Sequence, residues 1–186
     1  MQKPFFLPFF LKTLLFLTIA VGMNPALSEV EPPNYNFSLD TLKDFYPGKT
    51  LGEIKTKYKN VTLEFDKGAS KIYKTYITHI RYKFPIYFRI FEDKTVSLFA
   101  RLPSYFLHDV FHQSLINRYQ KQDEYNKVGN TAVYIWKDKE NLKLTYQGQC
   151  TITCFPMYLS VEMVKAPEGF PGETGILGEL SNFQFK

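Results

Sequence analysis

Between Lys71 and Leu102 the sequence passes through three blocks of β-branched and aromatic residues with almost no break. They read KIYKTYITHIRY (Lys71 to Tyr82), PIYFRIFE (Pro85 to Glu92) and TVSLFARL (Thr95 to Leu102). A fourth block, VTLEF (Val61 to Phe65), lies just upstream, and Asp66-Lys67-Gly68 and Glu92-Asp93-Lys94 supply turns. Residues of this kind suit a pleated, half-buried surface, and links so short leave room only for strands that reverse direction. The expectation is an antiparallel meander, and no other feature of the chain constrains the fold as strongly.

A helix introduces each cluster of strands. In TLGEIKTKY (Thr50 to Tyr58), Leu51, Ile54 and Tyr58 recur at spacings of three and four, one face of a short helix, with Thr50 and Glu53 spaced for a capping box. After Leu102, Pro103-Ser104 ends the last strand and opens a second helix that reaches Tyr119. Three more strand blocks follow: TAVYIW (Thr131 to Trp136), NLKLTYQ (Asn141 to Gln147) and TITCFPMYLSVEMV (Thr151 to Val164). Setting Tyr58 against Tyr119 aligns EIKTKYK with SLINRYQ, apolar at Ile54 and Leu115 and basic at Lys57 and Arg118. The reading is an α+β domain of two short helices packed on an antiparallel β-sheet, with two tandem helix-plus-strands units as a duplication hypothesis.

The first residues bear on destination. Met1 to Ser28 carries Lys3 and Lys12 without an acidic residue, then the apolar run TLLFLTIAVGM, then Ala26 and Ser28 at the positions that a signal peptidase reads. This order describes a secretory signal peptide, residues 1–28, cleaved after Ser28. The alternative is an uncleaved anchor, but the run falls short of the ~20 apolar residues that a spanning helix needs. The expected mature chain has no transmembrane segment and is periplasmic or secreted. Within it, 29–47 reads as an extended leader, 48–165 as a single α+β domain, and 166–186 as a Gly/Pro-rich C-terminal tail. Loss of 28 residues leaves 158 of the 186, enough for one core. Two lysines leave with the signal, so 21 basic residues face 18 acidic ones. That mild excess, in an exported chain, points to surface solubility and to no nucleic-acid partner.

Tandem units of a short helix and an antiparallel meander resemble the β-lactamase-inhibitor-protein type of fold, shared by the small lipoprotein of the outer-membrane β-barrel assembly machinery. The residues that carry the resemblance are GKTLGEIKTKY (Gly48 to Tyr58) and SLINRYQK (Ser114 to Lys121). The resemblance implies a binding role. It does not extend to membrane anchoring, because the signal has no lipobox cysteine, and no glycine precedes the second helix as Gly48 precedes the first.

Chemistry-bearing candidates are few. His108 and His112 stand one turn apart in LHDVFHQ, with Asp109 between them, close to the helical zinc-hydrolase pattern in which two histidines bind metal and a glutamate acts as base. On a helical wheel Leu107, Val110, Phe111 and Leu115 form an apolar stripe, with both histidines at its edge. A catalytic zinc site needs a third ligand and a base, and Asp109 also reads as a first-turn residue of an ordinary helix. Cys150 and Cys154 are the only cysteines. Export favours a disulfide between them, but on a fully extended segment their Cα atoms would stand ~13 Å apart, too far to bridge. The chain therefore turns between them, or both thiols stay free. Nucleophile-elbow, phosphate-loop and dinucleotide-loop patterns are missing, and no cofactor is implied.

A surface remains. Helices on one face of a sheet leave alternate side chains on the other, and Tyr73, His79 and Arg81 fall on one alternation of the Lys71–Tyr82 block, with Ile72, Lys74, Tyr76 and Tyr82 on the other. Tyrosines interleaved with cations suit recognition of a protein or glycan, and equally suit core packing with hydroxyls at the rim. The expectation is an exported, non-catalytic binding or envelope-associated module whose partner is another exported or envelope protein, with Tyr73, His79 and Arg81 in the binding surface. The competing expectation is a small metal-dependent hydrolase using His108 and His112. The tail, APEGFPGETGILGELSNFQFK, loses all periodicity and reads as a loosely packed extension.

Overall fold

The computed structural model describes residues 39–79, 82–102, 108–128, 131–149, 157–171 and 175–176. All of them belong to the second of the two units into which the chain divides, residues 37–186. The segment expected to be a signal peptide, the start of the expected leader, Arg81, both cysteines and the last ten residues lie outside the described residues.

The first half starts with a 3-10 helix, Leu39–Phe45, followed by α1 (Leu51–Lys57) and strands β1 (Thr62–Lys67), β2 (Ser70–His79), β3 (Tyr82–Phe91) and β4 (Lys94–Leu102). The second half repeats that order with α2 (His108–Tyr119), β5 (Glu124–Val128), β6 (Thr131–Lys139), β7 (Leu142–Gln149) and β8 (Met157–Met163). The strands form one antiparallel sheet in the order β1-β2-β3-β4-β8-β7-β6-β5. Each half is a meander, and the last strands of the two halves pair at the centre, Ser97 opposite Glu162 and Leu102 opposite Met157. The sheet dominates: strands take 54% of the described residues and helices 21%, so the α+β description holds with the weight on β.

Local chemistry explains the elements. The Thr50 backbone N–H donates to the Glu53 carboxylate (2.8 Å), and the Glu53 N–H donates back to the Thr50 hydroxyl (3.2 Å), the capping box that their spacing predicts. The β3–β4 and β6–β7 hairpins turn on Glu92-Asp93 and Glu140-Asn141, all four at positive φ, the geometry that matches the twist of paired strands. Asp93 and Asn141 tolerate it because a short polar side chain can bond its own backbone. Gly68 serves the β1–β2 turn at φ +70°, its N–H donating to Asp66.

The helices share one face of the sheet. Phe45 of the 3-10 helix lies 5.5 Å from Phe88 of β3, and Phe111 of α2 lies 5.2 Å from Tyr146 of β7, ring to ring. The hydroxyls of Tyr46 and Tyr119 meet at 3.0 Å, joining the two helical segments in a buried contact. The indole N–H of Trp136 donates to the Gln120 carbonyl (2.8 Å) where α2 ends. Paired strand residues share a face, so Phe88, Leu98, Val161, Leu144 and Trp136 continue this core across the sheet.

Four expectations are corrected. The leader assigned to 29–47 is not extended at its end: Leu39–Phe45 is helical, because Leu42 and Phe45 recur at a helical spacing and both are fully buried. The Lys71–Tyr82 block is two strands, since β2 ends at His79 and Tyr82 opens β3 opposite it. The second meander has four strands, β5 being the one not expected. The tail does not hang loosely throughout, because Ile176 is 0% exposed.

Candidate functional site

His108 and His112 lie under α2 against the sheet, away from the solvent rim where the apolar stripe would place them. His108 is only 6% exposed, and α2 buries Phe111, Leu115 and Tyr119 along the same line. Nδ1 of His108 is 3.0 Å from the Tyr146 hydroxyl, which itself donates to the Met157 sulfur (3.2 Å). Nε2 of His108 is 3.3 Å from the Tyr134 hydroxyl. A neutral ring satisfies all of these bonds at once: Nδ1–H donates to Tyr146, and Tyr134 O–H donates to Nε2. Burial holds both imidazoles below their ordinary pKa. Asp109 opposes that shift for each, Gln122 opposes it for His112, and the neighbouring His112 adds to it for His108.

This arrangement suits packing better than metal binding. The two imidazoles stack at 5.6 Å and 21°, and tyrosine hydroxyls occupy both nitrogens of His108, leaving that ring no nitrogen for an ion ~2.1 Å away. His112 also packs on Tyr134, ring centroids 4.0 Å apart. Among the described residues no group of three or more His, Cys, Asp and Glu is placed to hold a metal ion. Three clefts of about 310, 200 and 320 Å³ lie around α1 and the β3–β4 turn, lined by neither histidine.

The opposite face of the sheet carries a different set of side chains. Register places Lys74, Tyr87, Phe99, Ser160 and Thr145 in one row across β2, β3, β4, β8 and β7. Arg101, Tyr158 and Gln147 lie in the next row, and Arg89, Ser97, Glu162 and Lys143 on the other side. Phe99 and Tyr158 stack at 5.4 Å, and Tyr87 and Phe99 lie 6.3 Å apart. Towards the β2–β3 hairpin the row becomes cationic. The Lys83 ammonium stands 4.7 Å from the ring of Tyr76, and that of Lys74 stands 5.5 Å from Tyr76 and 5.3 Å from Tyr87. Partial burial works to lower the Lys74 pKa, but the hydroxyls of Tyr76 and Tyr87 outweigh it and raise the group above its ordinary value. Tyr76 is 39% exposed, and Arg101, on the same face of β4, is exposed too.

The residues named from sequence fare unevenly. Tyr73 lies on the helix-covered face: it is 9% exposed, stacks on Phe88 at 5.8 Å, and has Lys55 of α1 over its ring. His79 closes β2 opposite Tyr82, and Arg81 lies outside the described residues. Cys150 and Cys154 fall between β7 and β8, also outside them. The other alternation of β2, Ile72, Lys74 and Tyr76, is the one on the open face, and it finds Tyr87, Phe99 and Tyr158 there, which sequence reasoning did not single out. The chain matches no family model, no curated protein and no solved structure. Among the described residues no helix is long and apolar enough to cross a membrane.

Proposed function

We propose that the protein is an exported, non-catalytic binding module that holds another exported or envelope protein on the open face of its sheet. One observation carries this reading: every described helix lies on the other face, and the face left over presents Tyr76, 39% exposed, under the ammoniums of Lys83 and Lys74, with Arg101 exposed on the same face. Aromatic and arginine side chains are the anchors of protein recognition. The repeated order of helix and four strands fits an internal duplication of the kind implied by the resemblance to the β-lactamase-inhibitor-protein type, and joining the units edge to edge doubles the width of the face. Support for the hydrolase reading is weaker, because both nitrogens of His108 are engaged by tyrosine hydroxyls.

The test uses a photocrosslinking residue at Tyr76 or Arg101 in the producing cell, with Lys55 and Gln113 on the helix side as controls. The exported fraction should contain the chain beginning at Glu29, crosslinked to the same discrete protein from both open-face positions. Crosslinks from the helix side alone, or none at all, would contradict the reading.

A further inference from the structure

We propose that the C-terminal tail is an exchangeable resident of the open face, and that this face takes a partner's acidic, extended segment of the same design, anchored by one aliphatic side chain. The proposal rests on the binding-module reading and specifies its partner.

Ile176 is fully buried against Ile72, Tyr87 and Phe99, with Phe65 and Tyr158 at its margin. Those five residues come from five strands, so one aliphatic side chain plugs the middle of the face. Upstream, Phe170 stands edge-on to Phe91 at 5.1 Å, with the Arg89 guanidinium 5.7 Å from its ring. Gly175 runs so close to Glu162 that a β-carbon there would come within 3.2 Å of the carboxylate. These contacts are made by side chains. Among the described residues past Val164 the one backbone hydrogen bond, Phe170 N–H to the Pro167 carbonyl, stays within the tail, and those residues add no strand to the sheet.

The described part of the tail is held by two apolar anchors without a ladder of backbone bonds to the sheet, so a chain that offers the same anchors can replace it. Charge narrows the choice. The tail carries Glu168, Glu173 and Glu179 with a single lysine, Lys186. On the same face stand Lys74, half-buried, and Lys83 and Arg101, both exposed. Tethering sets the threshold for exchange: a covalently attached occupant competes at an effective concentration on the order of millimolar, so weak ligands are excluded and a tight partner is admitted.

The experiment uses the full chain with a specific protease site inserted between Lys165 and Ala166, cut after folding. The 166–186 fragment should elute apart from the body at micromolar concentration, and the body should keep its sheet by circular dichroism. It should then bind labelled 166–186 peptide saturably, at least ~10-fold more tightly than the uncut chain does. Ile176→Asp in the peptide should weaken binding at least ~10-fold, as should Glu173→Lys with Glu179→Lys, and added salt should weaken the native peptide. A fragment that stays with the body on dilution, or a body that unfolds on cutting, would make the tail a fixed part of the core and overturn the proposal. Equal binding of the charge-reversed peptide would overturn the acidic-partner chemistry. Crosslinking from Tyr76 requires no tail exchange, so it can fail or succeed independently of this result.

Discussion

A β-carbon on Gly148 would stand 2.5 Å from Nδ1 of His108 and 3.1 Å from the Tyr146 hydroxyl. The imidazole has nowhere to retreat, with α2 behind it and two tyrosines on its nitrogens. Gly148→Ala should therefore destabilise the domain by about 1–3 kcal/mol, the range for overpacking a filled core. The same change in a His108→Ala background should cost within ~0.5 kcal/mol of nothing, because the obstructing ring is gone. Urea denaturation of the wild type, both single variants and the double variant measures the difference, and additive costs would show that the two residues do not meet. The sequence shows His108 and Gly148 as isolated polar and small residues forty positions apart, and only strand register brings them together. The helical wheel puts the histidines at the edge of a stripe of Leu107, Val110, Phe111 and Leu115. Phe111 and Leu115 are buried as that stripe requires, and His108 and Tyr119 join them, because hydrogen-bonding hydroxyls on the sheet make an imidazole as acceptable there as an apolar side chain.

At the scale of the element, α2 is held by groups that titrate. Both imidazoles lie below 6.5 in the folded chain because burial disfavours their charged form. Unfolding frees them to their ordinary value, so below pH 6.5 the unfolded chain takes up protons that the folded chain resists. The stability they contribute is complete above about pH 6.5 and is lost as pH falls through the folded values. The urea midpoint should decline from pH 7 to pH 5, and less steeply in His112→Asn; a midpoint flat or rising over that interval would contradict the assignment. Stopping at pH 5 keeps Asp66 and Asp123 out of the window, since partners hold both carboxylates below their ordinary range. Other elements differ in how plainly the sequence announces them. The β1–β4 blocks are rich in β-branched and aromatic residues, whereas β5, EYNKV, contains Glu, Asn and Lys and exists because β6 offers it an edge. For β2 the alternation was visible but its direction was not: Ile72 and Tyr73 are both buried, one under the tail and the other under α1, so hydrophobicity alone does not tell the covered face from the open one.

At the scale of the whole molecule, the β4–β8 pairing stands apart from the rest of the sheet. Every other pair joins neighbours in the chain, but this one brings position 97 to 162 and position 102 to 157. Loop closure makes such distant pairings slow, so each meander can zip up locally before the seam forms, and the seam sets the pace of folding. Its core residues Ala100 and Leu159 are fully buried, so a half left alone would present an unpaired apolar edge strand to solvent. The protein should therefore behave as two complementing fragments. A chain severed between Leu102 and His108 should reassemble from co-expressed halves into a species that co-purifies and shows the native far-ultraviolet spectrum. Ala100→Asp in the first half should abolish that association. The edge that must never stay open during synthesis is then also the place where the gene tolerates division, and reassembly of the pieces would report on partner-free closure of the sheet in a living cell.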